Sequence, residues 1–231
     1  MNEERVKTGI PGLDSLIQGG LNRGSINLVT GDSGCGKTTF AMQFLYYGTV
    51  KYREPGIFIS FEEPKKLVYK NMLKFGWNLE ELEAQKKLAF IEYPTQEVAH
   101  FMAQEVLLRS SIEEMGVKRV AIDSITPFAL LYETELKRRQ EIHKLLAKLR
   151  KWGCTIMLTS ECDIDRFGEP TARFNIEALA DGLVYLYNQR KEKQRKKALE
   201  VVKMRGSEIK PNLYPIKFTK HGIAVQSGSS L

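Results

Sequence analysis

A mostly parallel β-sheet with helices on both faces, continued at one edge by antiparallel strands, is the fold class this sequence predicts. Three observations predict it. Up to Leu158, short apolar bursts alternate with longer amphipathic stretches, as strands joined by crossover helices do. A glycine-rich octet, residues 31–38, separates the first strong burst from the first long helical stretch. Beyond Gly182 the bursts are joined by short connections, which is the pattern of hairpins. The 231 residues suit one α/β domain spanning 1–231, and 42% hydrophobic residues supply its core without disulfide or metal staples.

Taken in order, residues 26–29 form a short strand that enters the glycine-rich loop, and 39–50 form a helix. Residues 57–61 are a β-rich burst ending in two glutamates, followed by a helix over 65–75. A strand at 88–91 precedes a long helix over 97–115, and a strand at 119–122 ends in Asp123. The helix over 133–152 buries one face through Ile142, Leu145, Leu146 and Leu149, spaced at three and four residues. A buried strand at 155–158 follows, then strands at 182–187, 198–204, 214–218 and 222–225. The tail, 226–231, is small and polar and is expected to be loose.

Composition narrows the class. Cys35, Cys154 and Cys162 show no paired spacing, which suggests a reducing compartment. Residues 1–10 are polar and charged, and no apolar run approaches the roughly twenty residues of a membrane helix. The expectation is a soluble cytoplasmic protein with no membrane partner. The net charge of +7 suits a polyanionic ligand but is common enough that it does not select DNA.

Gly31-Asp32-Ser33-Gly34-Cys35-Gly36-Lys37-Thr38 satisfies G-x-x-x-x-G-K-[ST], the phosphate loop. The spacing has a physical basis. Glycines let the backbone wrap closely and turn N–H groups toward phosphate oxygens, and the following helix, through Thr39, aims its positive end at the same anion. Lys37 is expected to reach the β and γ phosphates of ATP, or the β phosphate of ADP, and the Thr38 hydroxyl to ligate Mg2+. The second magnesium group is expected after a buried strand, and Val120-Ala121-Ile122-Asp123 supplies it: Asp123 would hold a metal-bound water. Cys35 is read as a passive loop residue, with redox sensitivity the alternative.

ATP hydrolysis needs a group that orients or deprotonates water. Glu62 and Glu63 follow an apolar strand at the end where open α/β sheets place their ligands. Adjacent carboxylates repel, which favours a shifted pKa in one of them. Glu62 is assigned as the base and Glu63 as its helper, with capping of the helix near Pro64 as a further role for Glu63.

Thr8-Gly9-Ile10-Pro11-Gly12-Leu13-Asp14, Gly19-Gly20-Leu21, the phosphate loop, Glu54-Pro55-Gly56, Ile59-Ser60-Phe61-Glu62-Glu63 and Ile122-Asp123-Ser124 together resemble the KaiC branch of the RecA-like P-loop ATPases. Val202-Lys203-Met204-Arg205-Gly206-Ser207 resembles that branch's Lys-x-Arg-Gly motif, and the likeness covers nearly the whole chain. The resemblance implies a RecA-like fold, ATPase activity, and self-association into a ring, usually a homohexamer, with ATP between neighbours. It implies that Lys203 and Arg205 serve the next subunit's site, that Glu62 and Glu63 are the catalytic pair, and that Thr159-Ser160-Glu161 senses the γ-phosphate. A trans arginine is worth roughly 10³ to 10⁵ in rate in other nucleotidases.

The chain departs from the pattern in places. Cys35 stands where Thr is common, Ile209 where a histidine usually follows Arg-Gly, and Glu177 and Ala178 where a clock-type autokinase carries a Ser-Thr pair. Autokinase activity is therefore not expected. A RecA/RadA-type recombinase is the first rival, but the loop after Leu158 is net acidic, a poor clamp for nucleic acid. The basic run 190–197 lies between two expected strands and is read as a solvated hairpin tip. A nucleotide-dependent scaffold with little turnover, gripping a protein partner, is the second rival.

Overall fold

The computed structural model describes residues 4–94, 97–164, 170–191, 194–210 and 212–228. Its main sheet is built from β3 (Ile26–Gly31), β4 (Gly56–Ser60), β5 (Leu88–Glu92), β6 (Arg119–Asp123), β7 (Thr155–Ile164) and β9 (Gly182–Lys191), with β10 (Gln194–Met204), β11 (Leu213–Thr219) and β12 (Gly222–Val225) at one edge. The order is β12-β11-β10-β9-β3-β7-β6-β4-β5, and β8 (Pro170–Ala172) adds to β7. From β9 to β5 every pairing is parallel, and from β9 to β12 every pairing is antiparallel. This is the predicted fold class. A separate two-stranded ribbon pairs β1 (Arg5–Val6) with β2 (Leu21–Asn22).

Strand alternation divides the core. Phe58, Ala121 and Met157 face α1 (Lys37–Tyr52), α2 (Lys65–Met72) and α3 (Leu79–Ala84), where Phe40, Phe44, Val68 and Leu82 meet them. Ile57, Ile59, Val120, Ile122 and Ile156 face α4 (Val98–Phe101), α5 (Glu105–Met115), α6 (Thr126–Leu130) and α7 (Glu135–Arg150). Strands apolar on both faces are what a parallel sheet covered by helices requires. The face predicted for α7 is buried at Ile142, Leu145, Leu146 and Leu149.

The structure changes three local expectations. The single helix expected over 97–115 is two helices, α4 and α5. Phe101 packs edge-on against Phe61 and Tyr93, with ring centroids at 5.1 and 5.5 Å, and the Tyr93 hydroxyl donates to Gln104 Oε1 at 2.9 Å. The break satisfies this aromatic cluster, and no Gly or Pro signals it in the sequence. Strand β7 runs to Ile164, well past Leu158, because β8 pairs with its far end through Cys162 and Ala172. In the tail, the Gln226 N–H bonds to the Pro215 carbonyl at 2.9 Å, so the chain is tied at least that far. Residues 229–231 of the tail lie outside the described residues.

Candidate functional site

Parallel pairing brings the ends of β3, β4, β6 and β7 to one edge of the sheet. Ser60 lies beside Asp123, and Gly31 beside Glu161. The residues at and just beyond these paired positions therefore share a cleft of about 400 Å³, lined among others by Gly36, Lys37, Thr38, Thr39, Glu62, Glu63, Asp123 and Glu161. A larger cavity of about 660 Å³ lies elsewhere, against Tyr46, Val50 and Gln85, and none of the predicted site residues lines it.

The phosphate loop leads from β3 straight into α1. Gly36 sits at the helix N-cap with φ 110°, and a Cβ there would lie 2.5 Å from Phe218 Cζ, so both backbone and neighbour call for glycine. Lys37 turns back over the loop, its Nζ donating to the Gly31 carbonyl at 2.7 Å and the Asp32 carbonyl at 3.0 Å. Ser33, Gly34, Thr38 and Thr39 line the cleft. Asp32 and Cys35 do not. The Asp32 carboxylate accepts from the Cys162 thiol at 3.4 Å. Cys35 is fully buried, and burial pushes its thiol pKa up despite the nearby Lys37. That is the passive reading of Cys35, since a buried, protonated thiol is a poor nucleophile.

Asp123 is 5% exposed, and its carboxylate accepts from the hydroxyls of Thr159 and Thr38. Burial raises its pKa, opposed by those two hydrogen bonds and by the charge of Lys37. Thr159, which the resemblance assigns to γ-phosphate sensing, is thus held against Asp123 where β6 and β7 pair. The Asp123–Ser124 peptide is cis.

Glu62 Oε1 accepts from the Ser124 hydroxyl at 2.8 Å. Its pKa is raised by desolvation first and by the charges of Asp123 and Glu161, against the Ser124 hydrogen bond and Lys37. Glu63 is raised by desolvation, then by Asp123 and Glu62. The capping role expected for Glu63 is not found: the N-cap of α2 is Pro64, without a side-chain cap, and Glu63 bonds through its backbone N–H and carbonyl to Ser60 Oγ at 3.1 and 2.7 Å.

The comparisons with known proteins bear on the whole chain. A profile of the family described as ATPase: KaiC matches residues 6–230. The chain belongs to the KaiC ATPase family. It is 36% identical over 233 residues to the circadian clock oscillator protein KaiC of Parasynechococcus marenigrum, covering 97% of this chain and 45% of the relative. It is 38% identical over 220 residues to KaiC of Thermostichus vulcanus, covering 92% of this chain and 42% of that protein. It therefore spans less than half the length of these relatives. Among solved structures, a KaiC-like protein of the hyperthermophilic archaeon Pyrococcus horikoshii superposes with a TM-score of 0.85 at 36% identity, covering 96% of this chain and 99% of that one.

Within this KaiC-family chain, Lys203 and Arg205 stand apart from the cleft. Lys203 pairs with Leu183 in β9, and Gly182 pairs with Asn27 near the start of β3. The phosphate loop leaves the other end of β3, four residues later, roughly 13 Å along the strand. The two basic residues do not reach their own chain's loop.

Two residues the sequence reading missed do reach it. Lys197 Nζ donates to the Gly34 carbonyl at 2.6 Å and sits 4.3 Å above the Phe218 ring. Lys197 is half-buried, and burial lowers its pKa. The solvated hairpin tip expected for the run 190–197 thus fails at Lys197, because β10 lies two strands from β3 and its side chain reaches the loop. Residues 192 and 193 of that run lie outside the described residues. No local pattern marks Lys197 or Phe218, which arrive at the loop only through strand order. Ser124 is the third omission as a role, although its place after Asp123 was a usable signal.

Proposed function

We propose that this chain binds ATP with magnesium on the phosphate loop and hydrolyses it slowly, as one subunit of a ring, most simply a hexamer, that acts as a nucleotide-dependent regulatory assembly. The observation that carries the reading is the convergence of Lys37, Thr38, Asp123 and Glu62 at one sheet edge, with Lys203 and Arg205 at the other.

The donor set fits the metal. Thr38 and Asp123 offer a hydroxyl and a carboxylate already in contact, the pair a magnesium ion shared with phosphate oxygens uses. Magnesium at nucleotide sites takes only one or two protein groups, the remaining ligands being phosphate oxygens and water. When bound, magnesium neutralises phosphate charge and helps orient the γ-phosphoryl group.

The chain's own groups supply the rest. Lys37 exchanges its two loop carbonyls for phosphate oxygens. Glu62, oriented by Ser124, accepts a proton from the attacking water, and its raised pKa makes it a better acceptor than an ordinary glutamate. Glu63 stands beside Glu62 as its helper, its own pKa raised by burial and by the charges of Asp123 and Glu62. Lys203 and Arg205 approach the γ-phosphate of a neighbouring chain. No helix among the described residues is long and apolar enough to cross a membrane.

Calorimetry and solution mass test the proposal together. Lys37→Ala is expected to abolish ATP binding, and light scattering is expected to show a ring whose population rises with ATP and magnesium. Unchanged affinity in Lys37→Ala, or a fully active monomer, overturns it. Stimulation of turnover by single-stranded DNA would instead favour a recombinase.

A further inference from the structure

The basic pair is held on one short segment of its own chain. Lys203 Nζ donates to the carbonyls of Ala180 at 2.7 Å, Glu177 at 3.2 Å and Ala178 at 3.4 Å. Arg205 Nη1 donates to Asp181 Oδ1 at 3.1 Å, and the Arg205 N–H to the Asp181 carbonyl at 2.9 Å. On the other side, Asn22 Nδ2 donates to the Arg205 carbonyl at 2.8 Å, and Arg5 to the Gly206 carbonyl at 3.2 Å and Ser207 Oγ at 2.5 Å. The turn carrying Arg205 is clasped between the β1–β2 ribbon and Asp181.

Asp181 is saturated. Arg150 binds it through two nitrogens at 2.8 and 3.0 Å, and its Oδ2 also accepts the Ile26 N–H at 2.9 Å. Its side chain is 13% exposed, whereas that of Arg205 is 56% exposed. A carboxylate already neutralised by a bidentate arginine cannot neutralise a second guanidinium. Arg205 is therefore aimed by Asp181 while keeping its charge and its remaining N–H donors for an external anion.

We propose that Asp181 is a positioning residue for the basic pair, presenting Arg205 and the neighbouring Lys203 to the phosphates bound by the next chain. This rests on the reading above that the pair acts across an interface. The bond from Asp181 to Arg205 sets direction, and the bond from Arg150 to Asp181 keeps the arginine from being sequestered.

Mixed rings distinguish this from a structural role for Asp181 in its own site. Asp181→Asn is expected to lower kcat about ten- to hundredfold, with ATP affinity unchanged within about twofold. Co-assembled with Lys37→Ala subunits, which lack a phosphate site but present an intact Arg205, Asp181→Asn should regain turnover. Co-assembled with Arg205→Ala subunits it should regain none. Rescue by Arg205→Ala subunits, by both partners or by neither overturns the proposal, as does full activity of Asp181→Asn alone. If Asp181→Asn fails to fold, Asp181→Ser, which keeps an acceptor for the Ile26 N–H, takes its place in the same mixtures. The parent mixture of Lys37→Ala with Arg205→Ala separates the two levels. If it regains no turnover, the interface reading fails and this proposal fails with it. If it does, failure of the Asp181 mixtures counts against Asp181 alone.

Discussion

The Ser124 hydroxyl donates to Glu62 Oε1 at 2.8 Å, joining the residue after the β6 aspartate to the second residue beyond β4. A carboxylate crowded by Asp123 and Glu161 is thereby held in one orientation at the mouth of the cleft.

A pH dependence follows from that bond. In the proposed role Glu62 acts as a base only when deprotonated, and its pKa lies above the ordinary 4.5, so turnover should fall on acidification at a higher pH than an unperturbed glutamate would give. The Ser124 hydrogen bond lowers that pKa, so Ser124→Ala should move the acid limb to still higher pH. Glu62→Gln should lower turnover about 100-fold with ATP affinity retained. The pH–rate profile and calorimetry check both. An acid limb that Ser124→Ala leaves in place would remove Glu62 from the base role.

The buried ion pair between Arg119 and Glu54 should dominate the stability of the α1 face. Arg119 is 1% exposed, its Nε donates to Glu54 at 2.7 Å, and its Nη1 donates to the carbonyls of Lys7 and Phe44 at 2.8 and 3.0 Å. Glu54→Gln should cost roughly 3–5 kcal/mol, because it leaves a buried guanidinium uncompensated. Burial raises the Glu54 pKa, but Arg119 and Arg23 lower it by more, so the folded value lies below 4.5. The pair's stabilisation is then complete above that pH and is lost as pH falls through the depressed value. Urea titrations of parent and variant at several pH values should show their difference shrinking only in acid.

Gly36 and Gly24 offer a paired test of the loop. Both have positive φ, 110° and 74°, but a Cβ at Gly24 meets nothing within 4 Å, while one at Gly36 meets Phe218. Gly24→Ala should cost about 1 kcal/mol and leave nucleotide affinity alone. Gly36→Ala should cost about 2–3 kcal/mol and weaken ATP binding. Thermal melts and calorimetry on the two variants decide it, and equal effects would deny the loop its special geometry.

Lys197 should matter to nucleotide binding although it lies outside the loop. Lys197→Ala removes the donor to Gly34 and the cation above Phe218, and should weaken ATP binding about tenfold with little change in melting temperature. An unaltered dissociation constant would return Lys197 to the role of a surface side chain.

Between Ile26 and Leu158 the strands, the crossover helices α1, α2 and α7 and the phosphate loop were legible because each is written in a local period or a fixed spacing, whereas the short helices α3 and α6 were not expected. Cleft residues such as Lys37, Thr38, Glu62 and Asp123 were legible for the same reason: each lies at or just beyond a strand end, and parallel strands share an edge. The break before Glu105 was not, since it answers to a cluster of Phe61, Tyr93 and Phe101 drawn from separated parts of the chain.

By itself the sequence determined the fold class and the place of the phosphate loop between β3 and α1, because periodicity and backbone spacing act between near neighbours. Only the tertiary structure decided that Lys197 and Phe218 close on the loop, that Ser124 orients Glu62, and that Asp181 and not the chain's own cleft holds Arg205. Those contacts depend on strand order and register, which bring together residues as far apart as Gly34 and Lys197, and no local pattern records which strand lies beside which.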